Sequence, residues 1–409
     1  MIDVNKIRKD FPMLQGRKMQ GHDLIYFDNA ATTFKPQSVI DAVTYYYTNL
    51  STNAHRGDYE LSFYVDQAYD ACRKAAAKFI NAEEKEIVFT SGASSSLNQI
   101  AYGYSKFLNA GDVILTCEAE HASSVLPWMK IAEEKGCKIE YVPLNEEGRV
   151  TVENFKKVCH DKVKVVALAQ VTNVLGYELP MKDICKIAHE VGAIVTMDIA
   201  QSAPHIKVDV KDIDCDFASF SAHKMCGPTG VGVMYGKYDL LQKMDPFNLG
   251  GGSNARFDMC GNILLKEAPY KFETGTPAIE AVLGFHAAIK YLSEIGMDNI
   301  HAYEQELHAY AIEKLSKLDN IEIYNPTADG CIITFNVKNV FAQDAASYFN
   351  TQGIAVRAGQ HCAKLLLEKL GTSATLRASC TFYNTKEEID RFVEVCKNAT
   401  IENCLDVFF

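Results

Sequence analysis

Short strand-like segments alternate with helix-like segments through the middle of this chain, and this alternation constrains the fold more than any other feature. Val163–Gln170 is rich in β-branched residues, Asp183–Val191 has apolar residues on one helical face, and Ala193–Asp198 is again strand-like. Such repeats predict an α/β fold with a mostly parallel sheet between helices. Ligands of these sheets bind just beyond the carboxyl ends of the strands, where we expect the functional residues. The same pattern predicts strands at Glu86–Thr90, Asp112–Thr116, Asp216–Ser221 and Gly230–Tyr235.

The pattern changes after about residue 270. Glu280–Leu292 and Asn299–Leu318 are typical of longer helices, and Ile321–Tyr324 and Cys331–Asn336 of strands around a turn. A second, smaller α/β domain is therefore expected. The predicted division is an N-terminal segment at 1–20 that packs on the small domain, a large domain at 21–275 and a small C-terminal domain at 276–409.

Charge and cysteine content exclude several classes of function. The 41 basic and 52 acidic residues give a net charge of −11, which disfavours binding to nucleic acid or to an anionic membrane. No apolar run approaches the roughly 20 residues of a membrane span, and the first residues do not resemble a signal peptide. The thirteen cysteines are odd in number and include no Cys-x-x-Cys pair, so neither a disulfide framework nor a metal site is expected. We predict a cytoplasmic protein without a metal.

Polar side chains fall where the predicted strands end. Asp198 closes one strand, Asn173 follows another, and His121 follows a third after a short loop. Singly, each is explained as well by a helix cap or a structural role. Asp198 and Lys224, however, lie one strand–helix–strand step apart, which places both at one rim of the sheet. A lysine amine there can form a Schiff base with an aldehyde cofactor, and a carboxylate opposite can keep a pyridine nitrogen protonated, so the pair predicts pyridoxal phosphate (PLP).

A run of small residues offers a place for the phosphate of that cofactor. Ser91–Ser96 follows the strand-like EIVFT and precedes the helix-like LNQIAYGY. Backbone N–H groups and hydroxyls converge at such a helix N-terminus and favour an anion. Taken alone, the run is equally well explained as a serine-rich cap without a ligand.

The string FSAHKMCGPTGVGVMY at 220–235 resembles the lysine motif of fold-type I, class V aminotransferase-like PLP enzymes. More narrowly it resembles cysteine desulfurases of the SufS type, with selenocysteine lyases as relatives. The resemblance covers nearly the whole chain and implies a fold-type I PLP-dependent transferase. Further motifs are YFDNAATTFKP at 26–36, HRG at 55–57, EHASSVLPW at 120–128, VTNVLG at 171–176, MDIAQSAPH at 197–205, FETGTP at 272–277, VRAGQHCA at 356–363 and LRASCTFYNT at 376–385.

The resemblance implies a role for each matching residue. Lys224 would bond to the cofactor and move protons, Asp198 would pair with the pyridine nitrogen, and His121 would stack on the ring and act as an acid or base. Thr276 would reach the cofactor of a second subunit, which implies a homodimer. Further cofactor contacts are implied for Ala93, Ser94, Asn173, Gln201, Ser221 and His223.

Cys362 would be the nucleophile that accepts sulfur, and Arg377 and Asn173 would bind the substrate carboxylate, with Arg357 nearby. Arg357 and His361 are expected to favour the Cys362 thiolate. The connection from the preceding strand to Cys362 is short, as in the SufS group. We therefore expect a sulfur-acceptor protein of the SufE or SufU kind to dock at the mouth of the pocket.

The predicted function is conversion of L-cysteine to L-alanine, with a persulfide formed on Cys362 and sulfur passed on for Fe–S cluster assembly or other sulfur transfer. The nearest alternative is a selenocysteine lyase acting on L-selenocysteine in the same pocket. An aminotransferase or a kynureninase-like enzyme leaves Cys362 without a role. A non-enzyme alternative is a PLP-binding scaffold that has lost catalysis, which the joint presence of Lys224, Asp198, His121 and Cys362 disfavours.

Overall fold

The computed structural model describes residues 2–55 and 57–408. Arg56 of the HRG motif lies outside the described residues. The helices are α1 Val4–Arg8, α2 Gln37–Tyr45, α3 Glu60–Phe79, α4 Ala93–Tyr104, α5 Ala122–Lys135, α6 Val152–Val158, α7 Met181–Glu190, α8 Val210–Ile213, α9 Tyr238–Lys243, α10 Ile279–Ile295, α11 Met297–Leu315, α12 Ala342–Thr351, α13 Lys364–Lys369, α14 Lys386–Asn398 and α15 Ile401–Leu405. The strands are β1 Lys18–Met19, β2 His22–Asp23, β3 Ile25–Tyr26, β4 Ile87–Thr90, β5 Val113–Thr116, β6 Lys138–Tyr141, β7 Val163–Ala169, β8 Ile194–Asp198, β9 Phe217–Ser221, β10 Gly232–Gly236, β11 Asn254–Phe257, β12 Ile263–Leu265, β13 Ile321–Ile323, β14 Ile332–Val337, β15 Ile354–Ala355, β16 Arg357–Gly359 and β17 Thr375–Ser379.

A seven-stranded sheet forms the centre of the molecule, in the order β4-β10-β9-β8-β7-β5-β6. Strands β9, β8, β7, β5 and β6 run parallel to one another, whereas β10 is antiparallel to both of its neighbours. The predicted α/β fold with a mostly parallel central sheet is confirmed. Strands β7, β8 and β9 are buried almost throughout because helices cover both faces, which explains their continuous apolar sequences.

Helix α7 shows how the pattern of apolar residues fixes the packing. Its residues Ile184, Cys185 and Ala188 lie on one face and are fully buried against the sheet. The opposite face carries charged residues such as Lys182. Strand β6 was missed by the sequence analysis because it is a polar, only partly buried edge strand.

A smaller antiparallel sheet, in the order β13-β14-β17-β16, forms the core of the C-terminal part. The short strand β3 pairs with β15 at its side, and Phe27 just after β3 packs in the same core. Helix α10, which follows the large sheet in the chain, packs against α2 and α3. The chain thus crosses between the two parts more than once, and the boundaries at 20/21 and 275/276 stay predictions.

The N-terminal segment contacts both parts of the molecule. Phe11 is fully buried between Tyr291 of α10 and Tyr383, with ring centroids 5.8 and 4.7 Å away. Arg8 pairs with Glu388 of α14 at 2.9 Å. These contacts attach the segment to α10 as well as to the C-terminal part.

The structure bears on three general features of the protein. No helix in the described part of the chain is both long and apolar enough to cross a membrane. Within residues 2–55 and 57–408, no group of three or more His, Cys, Asp or Glu side chains is arranged to hold a metal ion. All thirteen cysteines lie in these ranges and are free thiols.

Candidate active site

A cavity of about 270 Å³ opens at the carboxyl ends of β7, β8 and β9, where the small antiparallel sheet meets the large one. This is the position that the topology predicts for ligands. The structure brings twelve predicted site residues together in the cavity wall: Ala93, Ser94, His121, Asn173, Asp198, Gln201, Ser221, His223, Lys224, Arg357, Cys362 and Arg377.

Asp198 and Lys224 face this cavity from neighbouring strands. Asp198 is the last residue of β8, and its Oδ1 accepts a hydrogen bond from the backbone N–H of Ala200 at 2.9 Å. Lys224 lies in the 3₁₀ turn that follows β9. Burial raises the pKa of Asp198, while the N–H of Ala200 and the charge of Lys224 act against this rise. Burial also lowers the pKa of Lys224 to about 8, against the charge of Asp198, so a neutral amine is accessible near physiological pH.

His121 caps the N-terminus of α5 and lines the same cavity. Its Nδ1 accepts the backbone N–H of Ser123 at 3.1 Å, so Nε2 carries the proton of the neutral ring. Burial lowers the pKa of His121 to about 4, and the charges of Lys224 and Arg377 act in the same direction. The imidazole is therefore neutral at pH 7 and able to stack on an aromatic ring.

The serine-rich run forms a turn and the first part of a helix. Helix α4 begins at Ala93, earlier than the predicted LNQIAYGY segment, because Gly92 adopts φ +151° and lets the chain turn sharply into the helix. The backbone N–H of Ala93 donates to Ser221 Oγ at 2.7 Å, and Ser94 Oγ lies 2.7 Å from Ser123 Oγ. A Cβ atom at Gly232 would lie 2.6 Å from Gly92 Cα, so only glycine lets β10 approach this turn so closely.

His223 is held by the N-terminal motif YFDNAATTFKP. Its backbone carbonyl accepts hydrogen bonds from the hydroxyls of Thr32 and Thr33, at 3.0 and 3.2 Å, and from Lys35 at 3.2 Å. Burial lowers the pKa of its ring to about 4, and the charges of Lys224 and Lys35 contribute. A neutral ring next to Lys224 is suited to hydrogen bonding rather than to ion pairing.

Within the described part of the chain, three of the buried site residues predicted from the sequence each leave one polar atom in the cavity wall without a protein partner. These atoms are Asn173 Oδ1, Gln201 Oε1 and Arg377 Nε. Their other polar atoms are fixed: Asn173 donates to the carbonyl of His361 and Arg377 to the carbonyl of Asn173, both at 2.7 Å, and Gln201 donates to the carbonyl of Ala30 at 2.8 Å. Buried polar atoms normally have partners, so these three indicate where a polar ligand binds.

Asp28 is a site residue that the sequence analysis missed. Its carboxylate accepts hydrogen bonds from Arg357 Nε at 3.1 and 3.2 Å and from Arg357 Nη2 at 3.1 Å, and it lies 3.7 Å from Arg377. Burial lowers the pKa of Arg377 to about 10, against the charge of Asp28. The position of Asp28 inside the motif YFDNAATTFKP was the only signal, and nothing in that string indicates that it meets residues more than 300 positions away.

Cys362 is exposed at the cavity mouth, three residues after β16 and two before α13. Its φ is +57°, and its carbonyl accepts the backbone N–H of Ala122 at 2.7 Å, which ties the loop to α5. The connection from β16 to Cys362 is as short as predicted. Such a left-handed, non-glycine backbone is uncommon and stores strain at functional loops.

The expectation that His361 and Arg357 favour the Cys362 thiolate is wrong for His361. Its Nε2 lies 3.0 Å from the carbonyl of Thr375, which only accepts, so Nε2 donates, and this hydrogen bond by itself favours the charged ring. Burial lowers the pKa of His361 to about 3, with the charge of Arg377 adding to the effect. His361 therefore carries no positive charge at pH 7, and the charge of Arg357 is shared with Asp28.

Thr276 is the one predicted site residue that lies away from this cavity. It is exposed, and its hydroxyl accepts a weak hydrogen bond from Asn53 at 3.4 Å. Its predicted contact with a second subunit's cofactor stays a prediction.

The residues present fit PLP. The cavity holds a primary amine, a carboxylate one strand away, a neutral imidazole and a helix N-terminus flanked by hydroxyls, which match the aldehyde, pyridine nitrogen, ring face and phosphate of that cofactor. Of the unpartnered atoms, Arg377 Nε is a donor for a substrate carboxylate, whereas Asn173 Oδ1 and Gln201 Oε1 are acceptors for donor groups of the ligand.

A helix-covered α/β sheet with this set of side chains at its rim is typical of PLP-dependent enzymes. Comparison with known proteins agrees with that class. Residues 25–392 match the family "Aminotransferase class-V", so the chain belongs to that family. It is 42% identical over 410 residues to a cysteine desulfurase of Haloferax volcanii, and the match covers 96% of each protein. Solved structures of the cysteine desulfurase CsdA from Escherichia coli and of a cysteine desulfurase from Thermococcus onnurineus are 33% and 36% identical to it, with TM-scores of 0.91 and 0.92. They cover 100% and 97% of this chain, and this chain covers 99% and 98% of theirs.

The predicted resemblance to cysteine desulfurases is confirmed by these relatives. The predicted kind of protein, a PLP-dependent enzyme of this type, is confirmed with it.

Proposed function

We propose that this enzyme converts L-cysteine to L-alanine and keeps the sulfur as a persulfide on Cys362. The observation that carries the proposal is the position of an exposed thiol in the same cavity wall as Lys224, Asp198 and Arg377. An enzyme that transferred amino groups would have no use for a nucleophile there.

Arg377 and Asn173 bind the substrate carboxylate in this proposal. Arg377 is buried with a free Nε, and its fork of donors suits a carboxylate, which accepts two parallel hydrogen bonds. Asp28 lies 3.7 Å away and holds the guanidinium in place without saturating it. The substrate is thus fixed with its side chain toward Cys362.

PLP, when bound, supplies an electron sink that makes the α-proton of the amino acid acidic. Lys224 would hold the cofactor and, as a free amine, would move the α-proton, for which a pKa of about 8 is well matched. Asp198 would supply a negative charge for the pyridine nitrogen, and neutral His121 would cover the ring and exclude water.

Cys362 then attacks the sulfur of the bound substrate as a thiolate. The new S–S bond forms as the substrate's Cβ–S bond breaks, and the carbon takes up a proton. L-cysteine and one enzyme thiol give L-alanine and one enzyme persulfide, so atoms and electrons balance without an external oxidant.

Mass spectrometry of the intact protein after incubation with L-cysteine tests this function. We expect a gain of one sulfur atom that maps to Cys362 and is lost in Cys362→Ser. Cys260→Ser is the matched control, because Cys260 is also exposed but lies outside the cavity. Sulfur on Cys260, or alanine release by Cys362→Ser at the wild-type rate, would contradict the assignment. The same assay with L-selenocysteine measures selectivity against the lyase alternative.

The sulfur is passed to an acceptor protein of the SufE or SufU kind that comes to the cavity mouth. The Cys362 loop is tied to α5 through Ala122, so it has little freedom to carry sulfur outward. Multiple turnover should therefore rise several-fold when such an acceptor is added. Full turnover of the isolated enzyme in the absence of acceptor and of small thiols would contradict this part.

The enzyme acts as a homodimer in the reducing cytoplasm, where its thirteen free thiols persist. A groove of about 930 Å³ shares Ser94 with the active site and is bordered by Gly275 and Pro277 on either side of Thr276. Nearby, Leu61, Phe63 and Tyr64 of α3 are each more than two-fifths exposed, which is unusual for a monomer surface.

Light scattering tests the dimer, and the Thr276→Ala substitution tests the cross-subunit contact. We expect a mass twice that of the chain, and a variant that remains dimeric but binds PLP more weakly. A monomer with full cofactor affinity would contradict both statements.

A further inference from the structure

Glu120 is a buried carboxyl group for which the proposed reaction provides no role. It precedes His121 in the loop between β5 and α5 and is only 4% exposed. Its Oε1 accepts the backbone N–H of Ala169 at 2.7 Å and the thiol of Cys117 at 3.6 Å. Its Oε2 has no hydrogen-bond partner, and no Lys, Arg or His of the described chain pairs with it.

The contact with Ala169 places Glu120 at the same rim of the sheet as Asp198. Ala169 ends β7 and is the register partner of Asp198 on β8; its N–H points to Glu120, whereas the N–H of Gln170 points to Asp198 on β8, so the two acidic residues lie on opposite sides of the end of β7. Two negative charges buried at one rim disfavour each other, which adds to the cost of ionising both. Asp198 has the charge of Lys224 and the N–H of Ala200 to favour its ionised form. Glu120 has no cation, so it is the member of the pair that stays neutral.

We propose that Glu120 is a positioning residue that keeps a proton on its carboxyl group in the resting enzyme, so that the negative charge of this rim stays on Asp198. The proposal rests on the proposed function, because it assigns that charge to the pyridine nitrogen of PLP. Glu120 also links the end of β5 to the end of β7 and so fixes the segment that carries His121.

The electrostatics of the surroundings agree with this assignment. Burial raises the pKa of Glu120 to about 8; the N–H of Ala169 acts against this rise, and the charge of Asp198 adds to it. The titratable groups around Glu120 are Cys117 and His121 of its own segment and Asp198 of β8. Strand β7 contributes only backbone at Ala169, and α5 contributes the hydroxyl of Ser124.

Infrared spectroscopy of the PLP-loaded enzyme observes the proton directly. We expect the C=O stretch of a protonated carboxyl group at pH 7 in the wild type and its loss in Glu120→Gln. Glu133→Gln is the matched control, since Glu133 lies on α5 with a side chain that is 75% exposed. Identical spectra of wild type and Glu120→Gln in this region would overturn the proposal.

Thermal unfolding from pH 5 to pH 8 separates the proton from a purely structural role. The unfolded glutamate ionises near its ordinary pKa, about 4.3, whereas the folded one keeps its proton up to about 8, so this group makes the wild type less stable as the pH rises between the two values. The melting temperature of Glu120→Gln relative to the wild type should therefore increase from pH 5 to pH 8. A difference that does not change with pH would overturn the proposal.

These readouts do not depend on cysteine turnover. If no persulfide forms on Cys362 but the C=O band of protonated Glu120 is found, the proposed function fails and the assignment of a proton to Glu120 holds. If the persulfide forms and the band is absent, only the role of Glu120 fails.

Discussion

Two aspartate–lysine couples lie at opposite ends of the central sheet. At one end, Asp216 immediately precedes β9 and Lys237 follows β10. At the other, Asp198 closes β8 and Lys224 follows β9. Both aspartates are buried to the same extent, 6% exposed, so burial alone does not distinguish them.

The couple formed by Asp216 and Lys237 is satisfied by the protein itself. Asp216 lies 3.0 Å from Lys237 and 2.8 Å from His189, and it accepts the backbone N–H of Val195 at 2.7 Å. Burial acts to raise the pKa of Asp216, but these hydrogen bonds and charges hold it below the usual range. For Lys237, the hydrogen bonds and charges of Asp214 and Asp216 likewise overcome the effect of burial and raise its pKa.

The couple formed by Asp198 and Lys224 has the opposite electrostatics. No ion pair within 4.0 Å joins either residue to another side chain in the described part of the chain, and both pKa values are shifted toward the neutral form by burial. A buried charged residue whose partners all come from the protein contributes to structure. A buried charged residue without such partners is available to a ligand. The difference lies in the partners and not in the residue types.

Replacing each lysine with alanine in a separate variant should give the largest difference in turnover between the two couples. Lys224→Ala should lower turnover by at least about 10³-fold, because both the anchor of the cofactor and the base are lost. Borohydride reduction should fix PLP to the wild type and not to this variant, as read by the mass of the protein. Lys237→Ala should retain PLP and most of the turnover; a comparable loss in both variants would remove the distinction between the two ends.

Exchanging the two aspartates for alanine should separate activity from stability. Asp198→Ala should lower kcat by about 10²–10³-fold with little loss of stability, since an unpaired buried charge is removed. Asp216→Ala should lower the free energy of unfolding by about 1–3 kcal/mol, because the buried N–H of Val195 loses its acceptor and His189 and Lys237 keep only Asp214, with kcat of the folded enzyme nearly unchanged. Urea unfolding and steady-state kinetics measure both; a destabilised Asp198→Ala with normal kcat would reverse the assignment.

The sequence predicted the arrangement of the large sheet well because its strands are buried on both faces. The ends of the predicted strands lie within two residues of the ends of the observed strands. Residues at or just after those ends, such as Asp198 and Lys224, were therefore assigned to the correct rim. Strand β6 lacked that signal, because an exposed edge strand carries a polar sequence. The reversed direction of β10 was not predictable from its own residues.

The remaining parts of the site depend on contacts that are distant in sequence. Asp28 contacts Arg357 and Arg377 because β3 lies beside the small sheet in the folded protein. No periodicity in the sequence indicates contacts between residues so far apart. Glu120 was overlooked because a glutamate in a loop is usually exposed, and its burial is decided by Ala169 of another strand. The sequence analysis gave His361 a positive charge that its burial disfavours. Residue type and spacing locate a site, whereas protonation states follow from the packed structure.

The smallest expected effect is the opposite pH dependence of two histidines. His121 at the cavity has its pKa lowered to about 4, so the unfolded chain takes up a proton before the folded one and stability is lost as the pH falls from about 6.5 to about 4. His189 has its pKa raised, mainly by its hydrogen bond with Asp216, so its contribution is complete below about 6.5 and is lost as the pH rises through the folded value. When the pH falls from 7 to 5, the free energy of unfolding of His121→Gln should therefore rise relative to that of the wild type, and that of His189→Gln should fall. Each change should be about 1 kcal/mol, because both rings retain some solvent contact. Urea unfolding of the three proteins at the two pH values measures the signs, and the same sign for both variants would show that the two ends of the sheet do not differ in the way their partners imply.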